Sequence, residues 1–382
     1  MKKTNEVTRN HKEISSTCNV VSSTCNVISS KARLLYYLRE KQGKPASGTA
    51  IAKELGVSRV AVWKTVQALC EAGYSIETGE TGYFLNPKNE KDFLYPWEFA
   101  EKENLFYHYK NTGSTMDRAR ETAFRETAGG GAAIKEARVF TAEKQSAGRG
   151  RNGRTWVSRQ GGLFFSILEK PNLSISDYTL MSLITQIAVV RSVSAICGKK
   201  AFLRWPNDIF INNRKIAGIT TELSGEGDLI SWLAAGIGVN VNNPSPSGKA
   251  VSCAEILGAN ISRKDVLIKI LNEIENVKKT FSSKAAYSQG NPALAKEWNA
   301  LTDCVNAKAV VFEPVNDLQN REKLPAFGKE DSAGTSFNEK PGEILAKGIF
   351  TGIDPAGRCV LKTEESTMFF NHGTVSLAFL NP

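Results

Sequence analysis

The densest chemistry-bearing run in the chain is Gly148-Arg149-Gly150-Arg151-Asn152-Gly153-Arg154, followed by Thr155 and Trp156. Glycines between arginines let a backbone approach an anion while guanidinium groups bracket it. Alone, the run fits either a disordered RNA-binding tract or a loop that grips an anionic ligand. Its surroundings decide for the loop. Gln145 stands just before it, Trp156 just after, and a strand-like Gly161-Gly162-Leu163-Phe164-Phe165-Ser166 follows at once. Loops held between regular elements are where binding side chains concentrate.

Three further segments carry short polar and charged groups: Gly113-Ser114-Thr115, Arg204-Trp205-Pro206-Asn207-Asp208 and Arg214-Lys215-Ile216-Ala217-Gly218, with Gly236-Ile237-Gly238-Val239-Asn240 beyond them. Taken singly, Lys215 reads as a solvated lysine in a turn, and Gly236 and Gly238 as a tight strand end. The elements that must position these segments are visible as hydrophobic periodicity. Residues 163–168, 208–211 and 230–237 read as strands, and 179–197 and 263–280 as helices. The fold class is α+β, with a mixed-sheet domain over 93–302 and a strand-rich unit over 303–382 that reads as a small β-barrel. A Pro, Gly and charge-rich insertion at 316–341 interrupts that last unit as a surface loop.

In front of the sheet domain, residues 31–90 show short helical periods. Ala50, Ile51 and Leu55 mark one helix, Gly56 a turn, and Ser58 caps a second helix with Val62, Val66 and Leu69 on its inner face. Arg59, Val60, Trp63, Lys64 and Gln67 are left facing outward. With a Gly-Glu-Thr-Gly hairpin behind it, the pattern resembles a winged helix-turn-helix whose second helix enters a DNA major groove. The expected DNA contacts are Ser58, Arg59, Trp63, Lys64 and Gln67; if Trp63 packs on the wing instead, base reading falls to Arg59, Lys64 and Gln67.

The net charge is +10, and residues 1–90 hold 13 Lys and Arg against 8 Asp and Glu, a balance suited to a polyanion partner. Residues 1–30 contain a duplicated Ser-Ser-Thr-Cys-Asn-Val and little that packs, so a disordered tail is expected. No segment reads as a membrane span: the longest apolar window, near 180–190, is interrupted by Ser182, Thr185 and Gln186. The N-terminus lacks the apolar stretch of a secretion signal, so a cytoplasmic chain is expected. Seven cysteines without a C-x-x-C pair, and only three histidines, make a Cys/His zinc site improbable and favour reduced, buried thiols.

The order and spacing of these motifs, with the helix-turn-helix in front, resemble the bifunctional biotin protein ligases that also act as biotin-dependent transcriptional repressors. The resemblance runs from about residue 31 to the C-terminus. It implies a class II synthetase-like catalytic domain and a C-terminal SH3-like barrel. The implied chemistry is adenylation of biotin by ATP with Mg²⁺, then acyl transfer to a lysine of a carboxylase's biotin carboxyl carrier domain. The implied partners are that carrier, operator DNA, and a second copy of the chain once biotinyl-5'-AMP is bound.

Residue by residue, the resemblance implies biotin contacts from Ser114, Thr115, Met116, Gln145, Arg149, Gly150, Arg151, Trp156 and Lys215. It implies ATP contacts from Arg149, Arg151, Arg154, Asn207, Asp208, Lys215 and Asn240. On the same resemblance Lys215, Asp208, Arg149 and Arg151 would carry the catalysis, Lys215 by offsetting charge on the α-phosphate and Asp208 by binding Mg²⁺ or accepting the proton of the incoming lysine. Met116 stands where many members have Asn. Two rivals remain: a lipoate-type acyl ligase, and a biotin-sensing regulator without turnover.

Overall fold

In a computed structural model of the chain, three serine-capped helices come first: α1 (Ser30–Glu40), α2 (Gly48–Leu55) and α3 (Arg59–Glu71). Ser29, Ser47 and Ser58 each accept a hydrogen bond from the N–H three residues on, at 3.1–3.2 Å, which satisfies a donor that a helix start leaves free. Gly56, at φ +65°, turns the chain between α2 and α3. Leu34, Leu38, Ile51, Val62, Val66 and Leu69 close the small core, and the hairpin β1 (Ile76–Gly79) and β2 (Gly82–Leu85) completes the unit. The structure describes residues 28–127, 134–151, 154–245, 247–281, 290–313, 343–371 and 373–380. The hexapeptide repeat, Asn152, Gly153 and the 316–341 insertion fall outside them.

The central sheet is built from β3 (Phe106–Thr112), β4 (Arg138–Gln145), β5 (Leu163–Glu169), β6 (Phe202–Arg204), β7 (Asp208–Ile211), β8 (Arg214–Glu226) and β9 (Leu229–Val239). Their order is β3-β4-β5-β9-β8-β7-β6, with β3 and β4 parallel and every other pair antiparallel. Helix α4 (Thr115–Thr127) packs against β4, β5 and β9. Helix α5 (Tyr178–Cys197) packs against β6 and β8, with α7 (Arg263–Phe281) against it and the short α6 (Cys253–Leu257) nearby. The strand alternation sorts residues between the layers: Leu163, Phe165 and Ile167 join the α5 core, while Leu168 joins that of α4.

The helix expected over 179–197 is present, but its polar residues do not shorten the apolar stretch as the sequence reading assumed. Thr185 Oγ1 donates to the Met181 carbonyl at 2.8 Å, and Gln186 donates to Ser182 at 3.1 Å and accepts from Trp298 Nε1 at 2.9 Å. By length and composition alone, residues 175–197 are long and apolar enough to cross a membrane. Most of that stretch is buried in the core, where the buried polar groups are paired.

Helix α8 (Pro292–Ala300) leads to a five-stranded antiparallel sheet of β10 (Lys308–Phe312), β11 (Ile344–Ile353), β12 (Cys359–Lys362), β13 (Thr367–Phe370) and β14 (Ser376–Leu380), ordered β13-β12-β11-β10-β14. Its apolar side, including Val311, Phe350 and Leu361, is continuous with the central core. Asn299 clamps it by exchanging two hydrogen bonds with the Ile353 backbone at 2.8 and 2.9 Å.

The N-terminal unit is tied to the sheet domain through Glu98, whose side chain is 2% exposed. Its carboxylate accepts from Arg39 on α1 at 2.8 and 3.0 Å, from the Tyr74 hydroxyl at 2.6 Å and from Lys264 on α7 at 2.9 Å. Burial alone would raise this carboxyl, but Arg39, Lys264 and Tyr74 hold it below the ordinary 4.5. Glu98→Ala should cost about 2 to 3 kcal/mol, less than a fully buried pair would, because Arg39 and Lys264 keep some access to water. With the folded value depressed, Glu98 contributes fully above 4.5, and its contribution fades as pH falls through the folded value. Urea unfolding of wild type and Glu98→Gln should therefore differ most at neutral pH and converge on acidification.

Candidate active site

The floor of the site is a lane without side chains. Gly218 on β8 pairs with Gly238 on β9, and Gly236 pairs with Thr220 and with Ser166 of β5. A Cβ on Gly238 would fall 2.6 Å from Trp156 Nε1, one on Gly218 would fall 2.9 Å from the same indole, and one on Gly236 would fall 2.7 Å from Met116 Sδ. Glycine is needed here for close approach, not for a strained backbone. Gly238→Ala should displace Trp156 and raise the KM for the ligand about tenfold or more, by analogy with one misplaced methylene in a fitted pocket. Steady-state kinetics at varied ligand concentration would read this.

At one end the site is polar and tightly ordered. Gln145 Oε1 accepts from the Thr115 backbone N–H at 2.8 Å and from its hydroxyl at 3.2 Å, while Gln145 Nε2 donates to Ser158 at 2.8 Å. Ser166 donates to Thr115 Oγ1 at 2.8 Å, and Ser114 Oγ accepts from the Met116 N–H at 3.2 Å. Ser114 and Thr115 stand where β3 ends and α4 begins, and Gln145 ends the neighbouring β4. The two segments are joined by Ser146 N–H to Thr112 O at 2.9 Å and Ala147 N–H to Gly113 O at 2.8 Å. The Gly/Arg run then folds back on itself through Gly150 N–H to Arg154 O and Trp156 N–H to Gly148 O, both 2.8 Å.

The other end is cationic. Lys215 Nζ lies 2.7 Å from Asp208 Oδ1 and 5.3 Å from the Trp156 ring centre. Its backbone is bracketed by hydrogen bonds to Lys249 O at 2.8 Å and from Val251 N–H at 3.0 Å. Arg151 Nη2 is buried and has no hydrogen-bond partner among the described residues. Burial pushes its guanidinium down to about 10 against the pull of Asp208, so it stays cationic at neutral pH. A buried, charged N–H without an acceptor is costly, and an anion in the cavity is the natural remedy.

Arg149 is engaged differently. It pairs with Asp117 of α4 at 2.5 Å and approaches Glu222 of β8 at 3.7 Å, and Arg120 pairs with the same two carboxylates.

Every ligand-site candidate read from the sequence except Asn240 lines one cavity of about 130 Å³. Asn240 lines a second cavity of about 290 Å³, with Phe210 and Lys249, and Trp156 and Lys215 border both. Asn240 is itself buried and accepts from Asn243 at 3.0 Å. The DNA-contact candidates lie on α3 or at its N-cap and line neither cavity; all are exposed, with the Ser58 hydroxyl occupied as the helix cap.

Sequence reading missed Asp117, Glu222, Ser158, Ser166, Phe210 and Lys249. No local motif announces them, since each is brought in by strand or helix packing. Among the described residues no cluster of three or more His, Cys, Asp or Glu side chains is placed to hold a metal.

Comparison with known proteins converges on one family. The profile of the Biotin/lipoate A/B protein ligase family matches residues 125–242, and an HTH domain profile matches residues 31–84. A bifunctional ligase/repressor BirA from Bacillus spizizenii is 34% identical over 233 residues, covering 59% of this chain and 71% of that protein. A biotin--[acetyl-CoA-carboxylase] ligase from Paracoccus denitrificans is 36% identical over 230 residues, covering 58% of this chain and 82% of that one. Among solved structures, the biotin protein ligase from Aquifex aeolicus in complex with biotin and ATP shares the fold at a TM-score of 0.53 and 23% identity, covering 72% of this chain and 99% of that chain.

Proposed function

This chain belongs to the family of bifunctional biotin protein ligases and repressors, and we propose that it activates biotin with ATP, transfers it to a lysine of a biotin carboxyl carrier domain, and represses biotin synthesis through its N-terminal module. The observation that carries the ligase reading is that Lys215 and Trp156 border two cavities, one with a tightly ordered polar end and one bordered by Phe210 and Lys249. Biotin occupies the first, its ureido head at Ser114, Thr115 and Gln145 and its apolar rings against Trp156. The nucleotide extends into the second.

In the first half-reaction a biotin carboxylate oxygen attacks the α-phosphorus, and the bond to the departing pyrophosphate breaks. Lys215 and Arg151 offset the charge that builds on the phosphoryl oxygens. Arg149, held by Asp117 and Glu222, anchors the loop. Asp208 is the carboxylate that would hold a magnesium ion beside the phosphates, where the ion would supply positive charge against theirs. In the second half-reaction the carrier's lysine nitrogen attacks the acyl carbon, AMP leaves, and Asp208 accepts the amine proton. Purified protein with ATP, biotin and a carrier domain should add one biotinyl group to the carrier; an unchanged carrier mass would refute the ligase reading.

Domains of residues 31–90, 93–302 and 303–382 then take the DNA-binding, ligase and SH3-like barrel roles, in a cytoplasmic chain. The antiparallel order of the last five strands supports the barrel reading. The adenylate persists only when unbiotinylated carrier is scarce, so its retention signals biotin sufficiency. Loading favours a homodimer, because two helix-turn-helix units on one rigid body gain effective concentration over a single weak one. Sedimentation with biotin and ATP should show a dimer and tighter operator binding, with coupling of about 1 to 3 kcal/mol. A loaded monomer with unchanged DNA affinity would leave the ligase reading intact and remove the repressor one.

A further inference from the structure

On α3, Val60 and Trp63 are 61% and 52% exposed, although both are large and apolar. They sit three residues apart and so share one face, opposite Val62, Val66 and Leu69, which are buried. Trp63 keeps about half its surface open: with Thr78, Glu80 and Tyr83 of the wing it lines an open cleft of about 610 Å³ between α3, the start of α2 and the β1–β2 turn. Arg59, Lys64 and Gln67 are exposed around it. An exposed apolar pair ringed by cations and an amide, in a segment with an excess of Lys and Arg, suits a polyanion that displays an apolar group.

In the DNA major groove one base edge fits that description. Guanine, cytosine and adenine offer only donors and acceptors there, whereas thymine adds its C5 methyl. Resting on the DNA-binding reading above, we infer that Val60 and Trp63 read thymine methyl groups in each half of the operator, making thymine a determinant of specificity. Arg59 and Lys64 contact guanine or phosphate beside them, and Gln67 is placed for adenine.

The test uses the full chain with biotin and ATP. Duplexes are first selected from a random-sequence pool, then rebuilt with deoxyuridine replacing thymidine at each selected position, which removes the methyl and leaves the pairing edge intact. Affinity should fall about fourfold per methyl lost at the contacted positions, the worth of one buried carbon. The same substitution should have no effect on a chain carrying Val60→Ala and Trp63→Ala. Undiminished binding to fully uracil-substituted duplex, or a penalty that persists in the double variant, overturns the inference while leaving operator binding standing. Failure to select any duplex overturns the DNA-binding reading itself, and this inference with it.

Discussion

Lys215→Ala is expected to lower the rate of biotinyl-adenylate synthesis about a hundredfold or more while weakening biotin binding only slightly. The lysine is well placed to act late in the reaction coordinate. Its backbone is fixed on both sides by the 249–251 segment, and its ammonium is held 2.7 Å from Asp208 at the border of the two cavities. A preorganised charge costs little reorganisation when phosphoryl charge develops, so its loss falls on kcat more than on ground-state affinity. Lys215→Arg should restore little, because a planar fork cannot occupy the position of a compact ammonium. Rapid-quench measurement of adenylate alongside calorimetry for biotin reads both quantities. Normal adenylate synthesis in Lys215→Ala would remove the lysine from the mechanism.

Arg151→Gly should release the adenylate early. Its buried Nη2 has no partner among the described residues, and on this reading the ligand's phosphate supplies the acceptor. A hydrogen bond to a charged group is worth about 1.5 to 3 kcal/mol, which corresponds to about 10- to 100-fold in the dissociation rate if association is unchanged. Released adenylate acylates lysines indiscriminately, so bystander proteins should become biotinylated. Equivalent loss at Arg149 should be smaller for retention, because that side chain is already satisfied by Asp117 and Glu222. Unchanged dissociation in Arg151→Gly would contradict the assignment.

These two residues also mark how far the sequence could be read. Lys215, Asp208 and the Gly/Arg run stood out because each lies in a short segment of distinctive chemistry, although β8, which carries Lys215, does not alternate in burial and was not read as a strand. The different duties of Arg149 and Arg151 were not legible, because Asp117 lies on α4 and Glu222 far along β8. Only the sheet brings the three together. Helix α4 was also missed, since its apolar residues are few and it is positioned by packing on β4, β5 and β9. The parallel pairing of β3 with β4 depends on the crossover that contains α4, and strand patterns carry no sign of direction. In α5 the sequence misled in the opposite sense, because Thr185 and Gln186 look like interruptions until their buried partners are seen.

The central claim is that this cavity adenylates biotin. The most direct measurement is exchange of labelled pyrophosphate into ATP by the purified chain, with no carrier present, as a function of added biotin or lipoate. The account predicts exchange that requires biotin, is not supported by lipoate, and is lost in Lys215→Ala. Exchange driven by lipoate, or biotin binding with no exchange, would contradict it.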